Sequence, residues 1–446
     1  MSAQERHDCA TNLGSVLVDL GQAELGEQLY RRVLAADSKH GDAAYNLALL
    51  VQDYRTEEGS REAAALYRIA VLADPTRWDA WANMASALSD VGEEPLAAIR
   101  AFQRAIVQLE TTREGGGGGT EDTAAMDGYL AKLYYGMGTS LAKLTEEQCA
   151  ELATEPGSLL VGVDGAGRTT AGAGAGAELC VENAQNALRA ALELDPDHAQ
   201  AEHMLAAILH GAEGEGPALT KASPAFVTAL FDDFSDSFET KLAALQYKVP
   251  ELVGEAVAAL SRKRGYPFSA ALDAGCGTGL AGPYLRRVVS GALIGADLST
   301  KMLEKAADLR GEDGSRVYDA LLSKDLLALT RSDLVAADRG GRSRGSTQGV
   351  DLIAAADVLV YFGELTELLH GFASLAAAGG SLVFSCERAT DEDWKLLPSG
   401  RFAHSREYVT SVARGAGFQL MSYREIVPRI EQGQPVAGHL FVFVRN

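Results

Sequence analysis

The run Ala271-Leu272-Asp273-Ala274-Gly275-Cys276-Gly277-Thr278-Gly279-Leu280 constrains this chain more than any other segment. An apolar stretch ends in a carboxylate, three glycines follow at alternating positions, and a helix start comes next. Glycines there permit a tight turn and let a ligand touch the backbone. The N–H groups that open the following helix face that ligand. A second apolar stretch, Leu293-Ile294-Gly295-Ala296, ends in Asp297, 18 residues past Gly279. A carboxylate at that distance can accept both hydrogens of a ribose diol. Short apolar runs at 270–273, 292–296, 317–321, 351–355 and 381–385 alternate with helical patterns, which implies parallel βαβ units. Two more runs, 418–423 and 439–444, are joined by a link that holds Gly433, Pro435 and Gly438 but no helical pattern. They are expected to pair antiparallel.

Two cofactor classes compete for this loop. Gly277-x-Gly279-x-x-Gly282 formally matches the dinucleotide fingerprint. Asp273 argues against it, because a carboxylate beside the loop repels a pyrophosphate. It suits a cofactor with a cationic amine. S-adenosylmethionine offers ribose, adenine, an ammonium and a sulfonium, and no phosphate, so the residues favour the methyl donor.

Leu272-Asp273-x-Gly275-Cys276-Gly277-Thr278-Gly279 resembles the first motif of class I S-adenosylmethionine-dependent methyltransferases, and Asp297-Leu298-Ser299-x-x-Met302-Leu303 resembles their second. The resemblance extends over roughly residues 226–446. Leu230-Phe231-Asp232-Asp233-Phe234, Phe238, Tyr247 and Pro250-Glu251-Leu252 are similar to the lead-in of a subgroup that joins helical repeats to this fold. Ala356-Asp357-Val358-Leu359-Val360-Tyr361-Phe362-Gly363, Phe402-Ala403-His404-Ser405 and Gly415-x-Gly417-Phe418 are similar to its later segments.

The resemblance implies a Rossmann-like domain with a seven-stranded, mostly parallel sheet and a C-terminal antiparallel hairpin. It implies that Gly275, Cys276, Gly277 and Gly279 lie against the cofactor's methionine and ribose, with Asp273 beside them. Asp297 would hold the ribose hydroxyls, with Leu298 next to it. Met302 would pack on the adenine, and Asp325 would accept the adenine amine. Asp357, with Tyr361 close by, would stand near the transferred methyl. Phe231 and Phe234 would cover the pocket. Asp357 and His404 are the candidate general bases, a role needed only if the nucleophile arrives protonated. The fourth strand has no Asn-Pro-Pro-Tyr-like element, which argues against a nucleic-acid base as acceptor.

The first half repeats itself. Asn12-Leu13-Gly14, Tyr30 and Asp37 form one unit, Tyr45 to Ala48, Tyr67 and Asp74-Pro75 a second, and Trp81, Ala85, Gly92 and Phe102 a third. Small residues (Gly14, Ala48, Ala85) sit where paired helices approach, and aromatics (Tyr30, Tyr67, Phe102) fill the gap to the next pair. A fourth unit looks split between 134–144 and 184–194, and a fifth starts at 201. This pattern resembles the tetratricopeptide repeat, whose period is about 34 residues. The fold expected is therefore α + α/β, an all-α solenoid over residues 1–220 and a methyltransferase domain over 221–446. Glycine-rich inserts at about 113–124 and 157–178 read as disordered excursions with nothing to bury.

Composition narrows the function. Lys plus Arg is 40 and Asp plus Glu is 61, a net charge of −21. A chain this acidic repels phosphate backbones. The basic run Arg339-Gly340-Gly341-Arg342-Ser343-Arg344 reads as a solvated insert. The five cysteines contain no CxxC pair, so neither a disulfide framework nor a metal site is expected, and a reducing compartment fits. No apolar run approaches the roughly 20 residues of a spanning helix, and the start lacks a secretory pattern. The expectation is a cytoplasmic enzyme that methylates a small molecule, with repeats that scaffold or oligomerise. A protein methyltransferase whose repeats recruit the target, and a repeat interaction protein with an inactive cofactor-binding domain, stay open as alternatives. No nucleic-acid or membrane partner is expected.

Overall fold

The computed structural model describes residues 2–54, 56–115, 120–154, 161–163, 169–171, 177–213, 219–337, 349–431 and 433–446. The chain divides into two compact units, Met1–Ala212 and Glu213–Asn446.

The first unit is helical. Its elements are α1 (Ala3–Asp19), α2 (Ala23–Ala36), α3 (Gly41–Gln52), α4 (Glu57–Ala73), α5 (Trp78–Val91), α6 (Pro95–Gly115), α7 (Thr120–Leu141), α8 (Glu146–Thr154), α9 (Ala177–Leu194) and α10 (Ala199–Glu213). Pro75 and Pro196 follow the ends of α4 and α9, where a missing N–H costs least. Small residues mark close approaches. A Cβ on Gly14 would lie 2.5 Å from the Tyr30 ring, and one on Gly136 would lie 2.6 Å from the Phe102 ring. Side-chain bonds recur as well. Tyr30 donates to Ser15 Oγ at 3.1 Å and Tyr67 donates to Gln52 Oε1 at 2.8 Å, each 15 residues back. Arg31 joins Glu27 to Glu62, and Arg61 joins Glu57 to Glu93 in the same arrangement.

Two features depart from expectation. Helix α8 was not foreseen, and Cys149 on it is disulfide-bonded to Cys180 on α9, 31 residues away. The absence of a CxxC pair says nothing about cysteines that the fold brings together, and here the Cα atoms stand 5.9 Å apart. Cys9, Cys276 and Cys386 are free. Gly116–Gly119 and most of 164–176 lie outside the described residues. Within the second insert, Val161–Val163 and Thr169–Ala171 pair antiparallel, which corrects the expectation of a structureless excursion there.

The second unit opens with α11 (Pro224–Phe234), α12 (Phe238–Ala244) and α13 (Val249–Arg264). Helix α13 stops at Gly265, whose φ of +79° suits a glycine cap, and Arg262, Lys263 and Arg264 in its last turn complement the helix dipole. Seven strands follow: β1 (Phe268–Ala274), β2 (Val289–Asp297), β3 (Ala320–Ser323), β4 (Val350–Ala355), β5 (Ala376–Arg388), β6 (Phe418–Ile426) and β7 (Gly438–Arg445). They lie in the order β6-β7-β5-β4-β1-β2-β3. The pairs β1–β2, β1–β4, β2–β3 and β4–β5 are parallel, and β7 runs antiparallel to both β5 and β6. The sheet is larger than the seven strands expected, because Trp394–Leu396 and Phe402–His404 add two short strands off the end of β5. Strands β1 and β2 are buried almost throughout, as a sheet covered on both faces requires. Alternation sends Leu272, Ile294 and Ile353 into one core and Ala271, Leu293 and Leu352 into the other. Among the described residues, no helix is long and apolar enough to cross a membrane. The basic run at 339–344 lies outside the described residues.

Candidate active site

The order of the sheet reverses between β1 and β4, and loops diverging there leave a crevice at the strands' carboxyl ends. A pocket of this unit sits there. It is lined by the ends of β1, β2 and β4, by the turn after β3, and by α11 and α12.

The glycines after β1 do three different jobs. Their φ angles are +68° at Gly275, +55° at Gly277 and +92° at Gly279. A Cβ on Gly275 would lie 2.5 Å from Val358, and one on Gly279 would lie 2.5 Å from Leu309. Only Gly277 faces open space, with Phe238 the nearest group at 4.0 Å. Gly275 and Gly277 line the pocket with Cys276 and Thr278, whereas Gly279 does not. Its expected contact with the cofactor is therefore corrected: Gly279 is small so that Leu309 and Tyr318 can pack against the turn.

Two carboxylates end adjacent strands at this loop. The Asp297 Oδ2 accepts the Gly277 N–H at 2.8 Å, and its Oδ1 accepts the Ser299 N–H at 2.9 Å. Each oxygen keeps a lone pair for a further donor. Burial raises this carboxyl above its ordinary value, against the pull of those backbone donors. Asp273 is almost fully buried, with Oδ2 accepting the Tyr318 hydroxyl at 2.6 Å. Burial pushes it up to about 7, the Tyr318 hydrogen bond opposing. Its Oδ1 has no partner, and neither has the buried Thr278 Oγ1. A buried carboxylate oxygen without a donor is costly, and a ligand ammonium would remove that cost. Asp325 lines the pocket and caps the short helix Leu326–Ala328 through the Leu327 N–H at 2.9 Å. Leu298 also lines the pocket.

Met302 does not line it. The residue is fully buried in α15 (Thr300–Asp308), which follows the five-residue α14 (Gly282–Arg286). Its expected place on the adenine is corrected to a place in the core. Ser299 caps α15 through the Met302 N–H and donates to Asp232 Oδ1 at 2.6 Å, which ties the lead-in to the β2 turn. Of the two expected cover aromatics, Phe231 lines the pocket and Phe234 does not. The Phe234 ring lies under the Lys241 ammonium at 4.6 Å, and Phe238 takes the place at the pocket, 6.0 Å from Phe231.

The far end of the pocket is built by β4, β5 and the added strands. Asp357 has φ +62°, a conformation that Asp tolerates better than most residues. Its N–H donates to Ser385 Oγ at 2.9 Å, and its Oδ2 accepts from Arg401 Nη2 at 2.5 Å. Its Oδ2 is therefore ion-paired. Tyr361 lines the pocket with its ring edge-on to Phe231 at 5.6 Å, and burial raises its phenol. His404 is fully buried, and its Nε2 donates to the carbonyls of Phe362 at 2.8 Å and Gly363 at 3.2 Å. Burial pushes the imidazole down to about 4, and it does not line the pocket. The candidacy of His404 as a base is corrected to a neutral clamp under the Phe362 turn.

Sequence reasoning missed Arg401 and gave no role to Tyr247, a lead-in residue, and both are at the pocket. Arg401 stands directly before the quoted Phe402-Ala403-His404 segment and after Pro398-Ser399-Gly400. A cation between a turn and a buried apolar strand was the signal available.

A family model described as a methyltransferase domain matches residues 272–384. No curated protein matches the chain. One similar solved structure is a 1,6-didemethyltoxoflavin-N1-methyltransferase of Burkholderia thailandensis with bound 1,6-didemethyltoxoflavin and S-adenosylhomocysteine. It is 14% identical, covers 52% of this chain and 93% of its own, and gives a TM-score of 0.38. Another is the magnesium protoporphyrin IX methyltransferase of Synechocystis PCC 6803 with bound S-adenosylmethionine. It is 15% identical, covers 55% of this chain and 97% of its own, and gives a TM-score of 0.33. Residues 272–384 thus match a methyltransferase domain model, and S-adenosylmethionine is the cofactor that this match and the donor set of the pocket support.

Proposed function

We propose that the second unit transfers the methyl group of S-adenosylmethionine to a small-molecule acceptor, and that the first unit is a tetratricopeptide-type solenoid serving as scaffold or oligomer surface. One observation carries the enzymatic reading. Two strand-end carboxylates, the buried Asp273 and the half-buried Asp297, meet at a glycine loop, and Asp273 keeps an oxygen without a donor. Asp273 would take the ammonium, Asp297 the ribose hydroxyls, and Leu298 and Asp325 would flank the adenine. Gly277 is bare so that the methionine portion can lie on the backbone. The matched Tyr30–Ser15 and Tyr67–Gln52 bonds and the repeated arginine–glutamate pairs support the solenoid reading.

The bound cofactor supplies an already activated methyl, so the protein's work is alignment and exclusion of water. Phe231, Phe238 and Tyr361 wall the crevice, and Asp357 and Arg401 fix its far end. The reading is tested by giving the full chain methyl-labelled S-adenosylmethionine and a host extract, then fractionating by size. Label in the small-molecule fraction is expected. Label confined to macromolecules would replace this reading with protein methylation.

A further inference from the structure

The end of the pocket opposite Asp273 and Asp297 has a cation held in one pose. Arg401 is carried there by the strand Phe402–His404, which pairs with the last residues of β5. Its Nε donates to Glu387 Oε1 at 2.6 Å and its Nη2 to Asp357 Oδ2 at 2.5 Å. The same Glu387 oxygen accepts from Arg429 Nη2 at 2.9 Å, and Arg429 and Glu387 are both buried. Arg429 is itself anchored, because the flanking backbone bonds α12 and α13: Lys248 N–H reaches the Pro428 carbonyl and Ile430 N–H the Leu245 carbonyl. The guanidinium of Arg401 is thus held through two of its three nitrogens. Among the described residues no acceptor lies against its Nη1, and the side chain remains 20% exposed at the pocket. A planar fork held by its other nitrogens is preorganised for a carboxylate.

A second observation concerns protons. Among the described residues, each candidate base of the acceptor end is engaged, raised or outside the pocket. Asp357 is engaged by Arg401, His404 lies outside the pocket, and burial raises the Tyr247 and Tyr361 phenols. An alcohol, phenol or protonated amine would need a base here, whereas a carboxylate arrives ionised. A third observation is charge. The two arginines balance the two less exposed acids, Asp357 and Glu387, while Glu431, the other partner of Arg429, is open to solvent. An acceptor anion would then be the counter-charge to the sulfonium, and both charges disappear in the transfer. Beside Arg401 stands Tyr361, its ring 5.8 Å from the guanidinium carbon, with Phe231 edge-on to it at 5.6 Å, walls that fit an apolar or aromatic body.

We infer that the acceptor is an apolar carboxylic acid whose carboxylate is positioned by Arg401 and is itself methylated. The inference rests on the methyltransferase reading. One carboxylate oxygen attacks the methyl carbon. A C–O bond forms, the C–S bond breaks and its electron pair stays on sulfur. The sulfonium becomes a neutral thioether, the acid becomes a methyl ester, and no proton moves.

The test is calorimetric titration of the full chain, saturated with S-adenosylhomocysteine, with benzoate and with its neutral isostere benzamide. Benzoate is expected to bind at least about tenfold more tightly, a difference of about 1.4 kcal/mol. Arg401→Gln should erase the preference while S-adenosylhomocysteine still binds, and Arg401→Lys should keep part of it. If the Gln variant does not fold, the wild-type ratio and the Lys variant decide. Equal binding, a preference for benzamide, no binding of either probe, or a preference that survives Arg401→Gln would overturn the inference. With methyl-labelled S-adenosylmethionine and benzoate, mild alkali should release the label as volatile methanol, and base-stable label would count against an ester. S-adenosylhomocysteine failing to bind the wild type would remove the methyltransferase reading itself. Loss of the benzoate preference alone removes only the carboxylate.

Discussion

The two ends of the pocket are made in opposite ways. The end under β1, β2 and β3 is built from backbone and from acids that close their strands, all within residues 272–325. Its shape follows from three glycines and two carboxylates at short spacing. The end under β4 and β5 is built from side chains far apart in sequence. Asp357 and Arg401 are 44 residues apart, and Glu387 and Arg429 are 42 apart. A loop that must cradle one cofactor is a local problem, whereas a crevice that must select one acceptor is a tertiary one.

Breaking the first end should give the largest effect. Asp297→Ala removes two carboxylate oxygens that bind backbone N–H groups at 2.8 and 2.9 Å and are available to the ribose. With hydrogen bonds to a charged group at about 1.5–3 kcal/mol each, S-adenosylmethionine affinity should fall by about 100-fold or more in calorimetry. Next comes Gly279→Ala. Its φ of +92° and the clash with Leu309 predict a loss of about 2–3 kcal/mol in urea unfolding, with cofactor affinity nearly kept in the folded fraction. Gly277→Ala should do the reverse, costing only the roughly 1 kcal/mol of a left-handed backbone at φ +55°, with no clash, and most of the affinity.

The other end should separate from the first. Asp357→Asn keeps the shape of the side chain but weakens its hold on Arg401. Turnover is expected to drop about tenfold, one decade being about 1.4 kcal/mol, while S-adenosylmethionine affinity stays within about threefold. A matching loss of affinity would mean that the two ends are not separate. The smallest effect is that of pH. Asp273 sits near 7 in the free domain, and only its ionised form pairs with an ammonium. Affinity should therefore rise as pH climbs from 6 through 7 and level off above about 8, by up to about tenfold. Asp273→Asn should make the profile flat.

The same contrast explains what was legible in the chain. Strand-terminal Asp273 and Asp297, Gly275 and Gly277, which stand out in the sequence by residue type at short offsets, all line one pocket. Gly279 was misassigned because a turn glycine and a packing glycine look alike in sequence, and only the neighbours Leu309 and Tyr318 tell them apart. Met302 and Phe234 were misassigned because helical periodicity gives a face but not what that face meets. His404 was a candidate for its chemistry, yet its burial and two carbonyl partners make it a clamp. The Cys149–Cys180 bond and the partners of Arg401 cannot be read from the sequence, because they meet only once α8, α9 and the strands beside β5 are in place.

The most direct measurement is calorimetric titration of the full chain with S-adenosylmethionine and, separately, with NAD at pH 8. Single-site binding of S-adenosylmethionine, abolished by Asp297→Ala, with no heat from NAD, is the predicted result. Binding of NAD without binding of S-adenosylmethionine would contradict the account at its root.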